Sequence, residues 1–308
     1  MAKIKTSFIA TVLNEEKTIE TFLTSLFFQT QSFDEIIIVD GGSTDRTQSI
    51  ISNFQFQISN KKVSKIKVFQ KKGNRAVGRN FAIEKARNEI ILCSDAGCVW
   101  DQRWAEELVS SWSEDIDVVA GYYQGITHNI FQKCIIPYVL VMQDKVNPKK
   151  FLPATRSMLF TKNIWKKAGK FPEQFSHNED YVFAKKLKYI RARIVLNKNA
   201  LVGWSPPNSL KNLFIMFFRF AYGDVQAFIF RPKVIFLFFR YLFFFLLTNI
   251  NMFFFYLIIM IYGIWALEKN YRYVRHPLTI IYLPFLQVFS DIAVISGSVS
   301  GLISLLKR

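Results

Sequence analysis

The sequence predicts an α/β domain built on a mainly parallel sheet, followed by an apolar, membrane-associated helical region. Three observations carry this. Over the first ~95 residues, short apolar runs alternate with helically spaced stretches, the mark of βαβ units. Acidic residues stand at or just past the ends of three of those runs. Apolar character, 51% of 308 residues with 32 Phe, gathers after Asn212.

The elements follow in order. Phe8–Leu13 is a short apolar run stopped by Asn14, which predicts a buried strand. Glu16–Gln29 places Ile19, Phe22, Leu23, Leu26 and Phe27 at helical spacing. Ile36–Val39 predicts a second strand ending at Asp40-Gly41-Gly42-Ser43, and Thr44–Phe54 a second helix. Lys65–Phe69 predicts a third strand, Arg75–Arg87 a helix, and Glu89–Cys93 a fourth strand ending at Ser94-Asp95. Parallel sheets bind ligands beyond the carboxyl ends of their strands, where Glu15, Asp40 and Asp95 stand. Further on, the pattern predicts a helix at Trp104–Trp112 and strands at Val118–Tyr123 and Ala154–Phe160. Asn163–Ala168 and Asn178–Leu187 are predicted helices, Ile194–Leu196 and Leu201–Trp204 edge-like strand pieces, and Pro206-Pro207 closes the domain.

Val234–Leu267 is apolar except for Arg240 and the polar break Thr248-Asn249-Ile250-Asn251. As one helix it would run about 50 Å, against about 30 Å of hydrocarbon. Two passes turning at Thr248–Asn251 are expected. Arg231 and Lys233 before the run, and Lys269, Arg272 and Arg275 after it, favour both ends on the cytosolic side. Pro277–Leu306, with Asp291 in its middle, is expected as a further short hairpin or an interfacial helix. The expected division is residues 1–210 as a catalytic domain and 211–308 as a membrane-associated helical region.

The net charge of +17 calls for an anionic partner, and the apolar runs beside the basic clusters point to membrane lipid. No helix-turn-helix, zinc-finger or RNP pattern points to nucleic acid. Cys93, Cys98 and Cys134 form no disulfide or metal-knuckle pattern and are expected as buried thiols. No secretory signal is visible near Phe8–Leu13, so the first domain is expected to stay in the cytosol.

Five ordered motifs resemble family 2 glycosyltransferases over residues 4–205. They are Thr11-Val12-Leu13-Asn14-Glu15-Glu16; Val39-Asp40-Gly41-Gly42-Ser43-Thr44-Asp45; Gly73-Asn74-Arg75-Ala76-Val77-Gly78-Arg79-Asn80; Ile91-Leu92-Cys93-Ser94-Asp95-Ala96-Gly97; and Phe171-Pro172-Glu173 through Glu179-Asp180. The resemblance implies a GT-A fold, with a Rossmann-like, mainly parallel mixed sheet. It implies a nucleotide-sugar donor bound by Val12, Asn14, Glu15, Asp40, Gly42, Arg75, Arg79, Ser94 and Asp95. Asp40, beside two glycines, suits the nucleoside; carboxylates accept hydrogen bonds from ribose hydroxyls and base N–H groups. Arg75 and Arg79, four apart, are candidates for the phosphates.

Asp95 is the candidate metal ligand, for Mg²⁺ or Mn²⁺ on the diphosphate. The family's D-x-D motif has Gly97 here in place of its second acid, so a metal-independent enzyme using basic residues is the alternative. Asp180 is the candidate catalytic base, with Glu179 beside it. His177 is read as an incidental loop residue, with lining the acceptor pocket as the alternative; Trp204, Arg219 and Tyr222 are candidates to border that pocket. The Q-x-x-R-W motif of processive synthases is absent. The leading expectation is an inverting transfer to a lipid-linked or glycan acceptor at the cytosolic membrane face. Two alternatives stand beside it: a polyprenyl-phosphate glycosyltransferase, and a catalytically degenerate nucleotide-binding scaffold.

Overall fold

A computed structural model describes residues 4–58 and 66–307. Lys65, expected to open the third strand, lies outside the described residues. The chain divides into two compact units, 1–124 with 146–205, and 125–145 with 206–308.

The first unit is built on an eight-stranded sheet. Its strands are β1 (Thr6–Val12), β2 (Glu35–Asp40), β3 (Ile66–Gln70), β4 (Ile90–Cys93), β5 (Cys98–Trp100), β6 (Val118–Gly125), β7 (Met158–Thr161) and β8 (Ile194–Trp204), in the order β3-β2-β1-β4-β7-β6-β8-β5. β3, β2, β1 and β4 run parallel, with Val12 opposite Asp40 and Ile9 opposite Cys93. Their carboxyl ends therefore share one edge of the sheet. β7 returns antiparallel to β4, which makes the sheet mixed.

Alternating side chains feed two cores. Phe8, Ala10 and Val12 pack with Phe22, Trp100 and Trp104 on one face; Ile9, Ile37 and Val39 pack with Phe160, Trp165, Phe171 and Phe183 on the other. Helices α1 (Ile19–Phe27), α2 (Thr47–Ile58), α3 (Arg75–Lys85), α4 (Trp104–Ser110), α6 (Lys162–Lys167) and α7 (Glu179–Tyr189) belong to this unit. All three cysteines are buried free thiols.

Two differences from the sequence expectation concern continuity. The edge-like pieces near 194–204 are one eleven-residue strand. β5, only three residues long, has no readable alternation and is defined by its antiparallel pairing with β8.

The second unit contains α5 (Ile130–Val139), α8 (Leu210–Gln226), α9 (Pro232–Ile250), α10 (Met252–Val274) and α11 (Thr279–Leu306). The last three are each long and apolar enough to cross a membrane. α9 and α10 part at Asn251, whose side chain accepts the Phe253 N–H at 2.8 Å and caps α10. α11 corrects the short-hairpin expectation for Pro277–Leu306: it is one helix of 28 residues. Its polar and small residues turn inward instead of breaking it. Asp291 accepts hydrogen bonds from Tyr262 at 2.6 Å, Tyr241 at 3.1 Å and Gln287 at 3.0 Å, and pairs with Arg240 at 3.0 Å. A Cβ on Gly297 would lie 2.3 Å from the Phe218 carbonyl oxygen, so α11 and α8 pack backbone to backbone there.

Glu35 pins the first three strands. It is 3% exposed. It accepts hydrogen bonds from Ser7 Oγ at 2.8 Å, Lys67 Nζ at 2.6 Å and the Arg87 backbone N–H at 2.8 Å. Burial alone would raise its pKa; Lys67, Arg87 and Ser7 outweigh that and lower it from 4.5 to about 2. The resulting stabilisation is complete above pH 4.5 and is lost as the pH falls from 4.5 toward 2. Glu35→Gln is expected to cost on the order of 2–3 kcal/mol at pH 7. Thermal unfolding at pH 7 and pH 3 checks this: the gap between wild type and variant should narrow at the lower pH.

Candidate active site

Four loops at the carboxyl edge of the sheet and the start of α7 make the site. After β1, Asn14 takes a left-handed conformation (φ 54°), its Oδ1 accepts the Thr44 N–H at 2.9 Å, and its own N–H donates to Ser43 Oγ at 2.9 Å. The Glu15 N–H donates to Thr47 Oγ1 at 2.8 Å, and its carboxylate accepts Thr18 Oγ1 at 2.6 Å. Val12 is buried, and its carbonyl accepts the Gly41 N–H. These contacts bind the first and second loops into one surface.

Asp40 is the centre of the second loop. It is 1% exposed. Its Oδ1 accepts the Ser43 hydroxyl at 2.7 Å and the backbone N–H groups of Ser43 at 2.9 Å and Gly42 at 3.2 Å; its Oδ2 accepts Gln48 Nε2. Burial would raise its pKa, but these donors hold it below the usual carboxylate value. Gly42 has φ +104°, a conformation that favours glycine. A nucleoside meeting Asp40 directly would have to displace Gln48.

Beyond β4, Asp95 meets α3 and α7 through one side chain. The Arg79 guanidinium is 2% exposed; it donates to Asp95 Oδ1 at 2.8 Å and to Glu179 Oε1 at 2.6 Å, over the Phe171 ring. Thr155 Oγ1 adds a weak bond to Asp95 Oδ1 at 3.4 Å, and Arg156 Nε lies 4.0 Å from Asp95 Oδ2. Burial would raise the Asp95 pKa; Arg79, Arg75 and Arg156 outweigh it and lower it. The Asp180 carboxyl moves the other way, raised by burial and by the neighbouring Glu179 charge. Two carboxyls of one site are thus pushed in opposite directions, a pattern of functional sites.

Arg75 and Arg79 do not share a face toward solvent. Arg75 is exposed at the start of α3, whereas Arg79 lies on the buried face with Ala76 and Ile83. That i, i+3, i+7 pattern is the sequence signal for an inward arginine. Ser94 is also turned inward: its hydroxyl donates to the Arg156 carbonyl at 2.6 Å and accepts Trp100 Nε1 at 2.6 Å.

Two asparagines outside the predicted donor-binding set complete the frame. Asn80 Nδ2 donates to the Phe171 carbonyl at 2.9 Å and to Glu173 Oε1 at 2.8 Å, and Asn80 Oδ1 accepts the Phe171 N–H at 3.0 Å. Asn74 Nδ2 donates to the Glu173 carbonyl at 2.6 Å. Asn80 of α3 and Asn74, the cap of that helix, thereby fasten the segment leading to α7. Trp204 ends β8 with its ring 4.6 Å from the Arg156 guanidinium. Arg219 and Tyr222 belong to α8 in the second unit, where Tyr222 donates to Ser304 Oγ at 3.0 Å.

Among the described residues no cluster of three or more His, Cys, Asp or Glu side chains forms a metal cradle. Asp95 Oδ1 is taken by Arg79, and Oδ2 is the remaining oxygen. A divalent cation fits this donor set only with the diphosphate of a bound nucleotide supplying further oxygens.

This sheet, with acidic loops at its carboxyl edge, is the GT-A architecture. It superposes on the mannosyltransferase PcManGT from Pyrobaculum calidifontis, described in complex with GDP-Man and Mn²⁺, with a TM-score of 0.57 and 17% identity over 74% of this chain and 64% of that one. It also superposes on residues 1–349 of S. aureus TarS, in complex with UDP-GlcNAc, with a TM-score of 0.55 and 18% identity over 96% and 91% of the two chains. Against a longer structure of TarS, the chain spans 40% of the length. Residues 7–154 match the model for Glycosyl transferase family 2. Glycosyltransferase AglE of Haloferax volcanii is 24% identical over 72% of this chain and 73% of its own, and glycosyltransferase GlyG of Streptococcus pneumoniae 25% over 62% and 69%. Over residues 7–154 the chain is similar to glycosyltransferase family 2, and the chain is a glycosyltransferase.

Arg79→Leu leaves the buried Glu179 carboxylate and the partly exposed Asp95 carboxylate without their counter-charge, which costs about 3–5 kcal/mol. The melting temperature should fall by roughly 6–20 °C. Arg79→Lys, which keeps the charge but loses the fork, should fall between. Thermal unfolding in detergent measures both.

Proposed function

We propose that this protein is an inverting glycosyltransferase that moves a sugar from a nucleotide-sugar donor to a lipid-linked or glycan acceptor at the cytosolic face of a membrane. The observation that carries this is the Asp95–Arg79–Glu179 chain, which fixes a strand-end carboxylate against the helix start bearing Asp180. GDP-Man and UDP-GlcNAc in the structural neighbours support a nucleotide-sugar donor.

In this reading the nucleoside lies over the loops of Val12, Asn14, Glu15 and Gly42, which Asp40 and Ser94 hold in shape from below. Arg75 reaches toward the phosphates, and Arg79 and Glu179 act as positioning residues. Asp180 takes the proton of the acceptor hydroxyl as that oxygen attacks the anomeric carbon. Its raised pKa strengthens it as a base relative to an exposed aspartate. A Mg²⁺ or Mn²⁺ ion on Asp95, completed by the diphosphate, would offset charge on the leaving group.

Residues 1–210 then carry the chemistry and 211–308 hold the chain at the membrane. Three helices apolar enough to cross a bilayer, and basic residues at both ends of the α9–α10 pair, support that placement.

Asp180→Asn should lower nucleotide release by roughly 10²–10⁴-fold with little change in donor affinity. The wild-type kcat/KM should rise with pH through a limb above the ordinary aspartate value of 3.8. Product analysis by mass spectrometry over a panel of nucleotide sugars checks both. Release by wild type no greater than by Asp180→Asn, with every donor and acceptor, would refute the reading. Full activity of Asp180→Asn on a polyprenyl phosphate would favour that acceptor instead, since its oxygen is already anionic.

A further inference from the structure

Three arginines place their charge on Asp95: Arg79, Arg75 and Arg156. They differ in what their N–H groups can reach. Arg79 is 2% exposed and spans Asp95 and Glu179, so it has little left to offer a ligand. Arg75 stands exposed at the start of α3. Arg156 lies between these extremes. Its guanidinium sits 4.6 Å from the Trp204 ring and 5.2 Å from the Tyr123 ring, and its side chain is 21% exposed.

Two aromatic faces hold the Arg156 cation without using its in-plane donors. Among the described residues no protein acceptor lies within hydrogen-bonding distance of its N–H groups. Its nearest carboxylate oxygen, Asp95 Oδ2, is 4.0 Å away. The backbone beneath it is fixed. The Arg156 carbonyl accepts Ser94 Oγ at 2.6 Å, and the next residue, Ser157, accepts Trp104 Nε1 at 2.8 Å and donates to the Ala200 carbonyl at 3.1 Å. A guanidinium is therefore held in place, partly desolvated, with its fork open beside the candidate donor site. Its charge is also felt at Asp180. It stands within electrostatic reach of both the donor-side carboxylate and the proposed base.

We propose that Arg156 binds the diphosphate of the sugar donor and carries part of the leaving-group charge. This rests on the nucleotide-sugar reading above and deepens it. In the transfer, the acceptor oxygen bonds to the anomeric carbon while the bond from that carbon to the β-phosphate oxygen breaks. The electron pair of the broken bond stays on the phosphate oxygen, and the acceptor proton goes to Asp180. The departing nucleoside diphosphate gains one negative charge, and Arg156 meets it with two parallel N–H donors. The D-x-D segment ends here in Gly97, whose Cα faces open space with nothing within 4 Å of an added Cβ. The positive charge that a second acid would help recruit as metal is supplied in part by this side chain.

The test compares nucleotides that differ by one phosphate. Full-length protein in detergent is titrated calorimetrically with UDP, GDP, dTDP and ADP, and with the matching monophosphates. Arg156→Gln should weaken the preferred diphosphate by ~10- to 100-fold and the monophosphate by less than ~3-fold. Arg156→Lys should recover part of the loss, and the unchanged monophosphate affinity shows that the nucleoside site is intact. Equal losses for both nucleotides would make Arg156 a structural residue and overturn the proposal. So would unchanged affinity for both, or an effect confined to the KM of a polyprenyl-phosphate acceptor. Wild type that binds none of the diphosphates would overturn the nucleotide-sugar reading itself.

Discussion

A guanidinium without solvent needs counter-charge, and this requirement at Arg79 organises the catalytic unit. Arg79 is 2% exposed and answered by Asp95 on one side and Glu179 on the other. The two acids are 84 positions apart in sequence, and they meet only if α3 lies between the end of β4 and the start of α7. Other contacts bring α3 close enough. A Cβ on Gly78 would lie 2.7 Å from Thr11 Cγ2, so only glycine lets this helix approach β1 so tightly. Asn80 and Asn74 then tie the 171–175 segment to the same helix. Together they position Asp180 without touching it.

The parallel half of the sheet was legible because its strands are buried on both faces. β2 has no exposed residue, so it reads as an unbroken apolar run ending in Asp40. β5 and α5 were not legible. β5 is three residues whose identity comes from β8 across the ladder, and α5 is a ten-residue helix with Pro137 near its end. The site was legible at the level of residue types but less so at the level of roles. Asp40, Ser94 and Arg79 have functional-looking side chains that the fold turns inward, where they shape loops. Arg156 has no pattern around it in Ala154-Thr155-Arg156-Ser157; its setting comes from Tyr123 and Trp204, distant in sequence.

The helical unit follows the same logic. Asp291, in the middle of the apolar α11, is answered by Arg240 of α9, Tyr262 of α10 and Gln287 of its own helix. Among apolar side chains an unanswered buried carboxylate is costly, so this cluster specifies how the three helices meet. Gly297 and Gly301 allow α8 to lie directly against α11. In both units a buried charge with partners on separate elements sets the arrangement, and apolar packing fills in around it.

If Arg79 couples the two carboxylates, then Asp95 and Glu179 are energetically linked although they do not touch. A double-mutant cycle on kcat/KM tests this most directly, using Asp95→Asn, Glu179→Gln and the double variant. Strong coupling through the shared arginine predicts a double variant whose loss departs from the sum of the single losses by about 0.5–3 kcal/mol. Additivity within about 0.3 kcal/mol would contradict it.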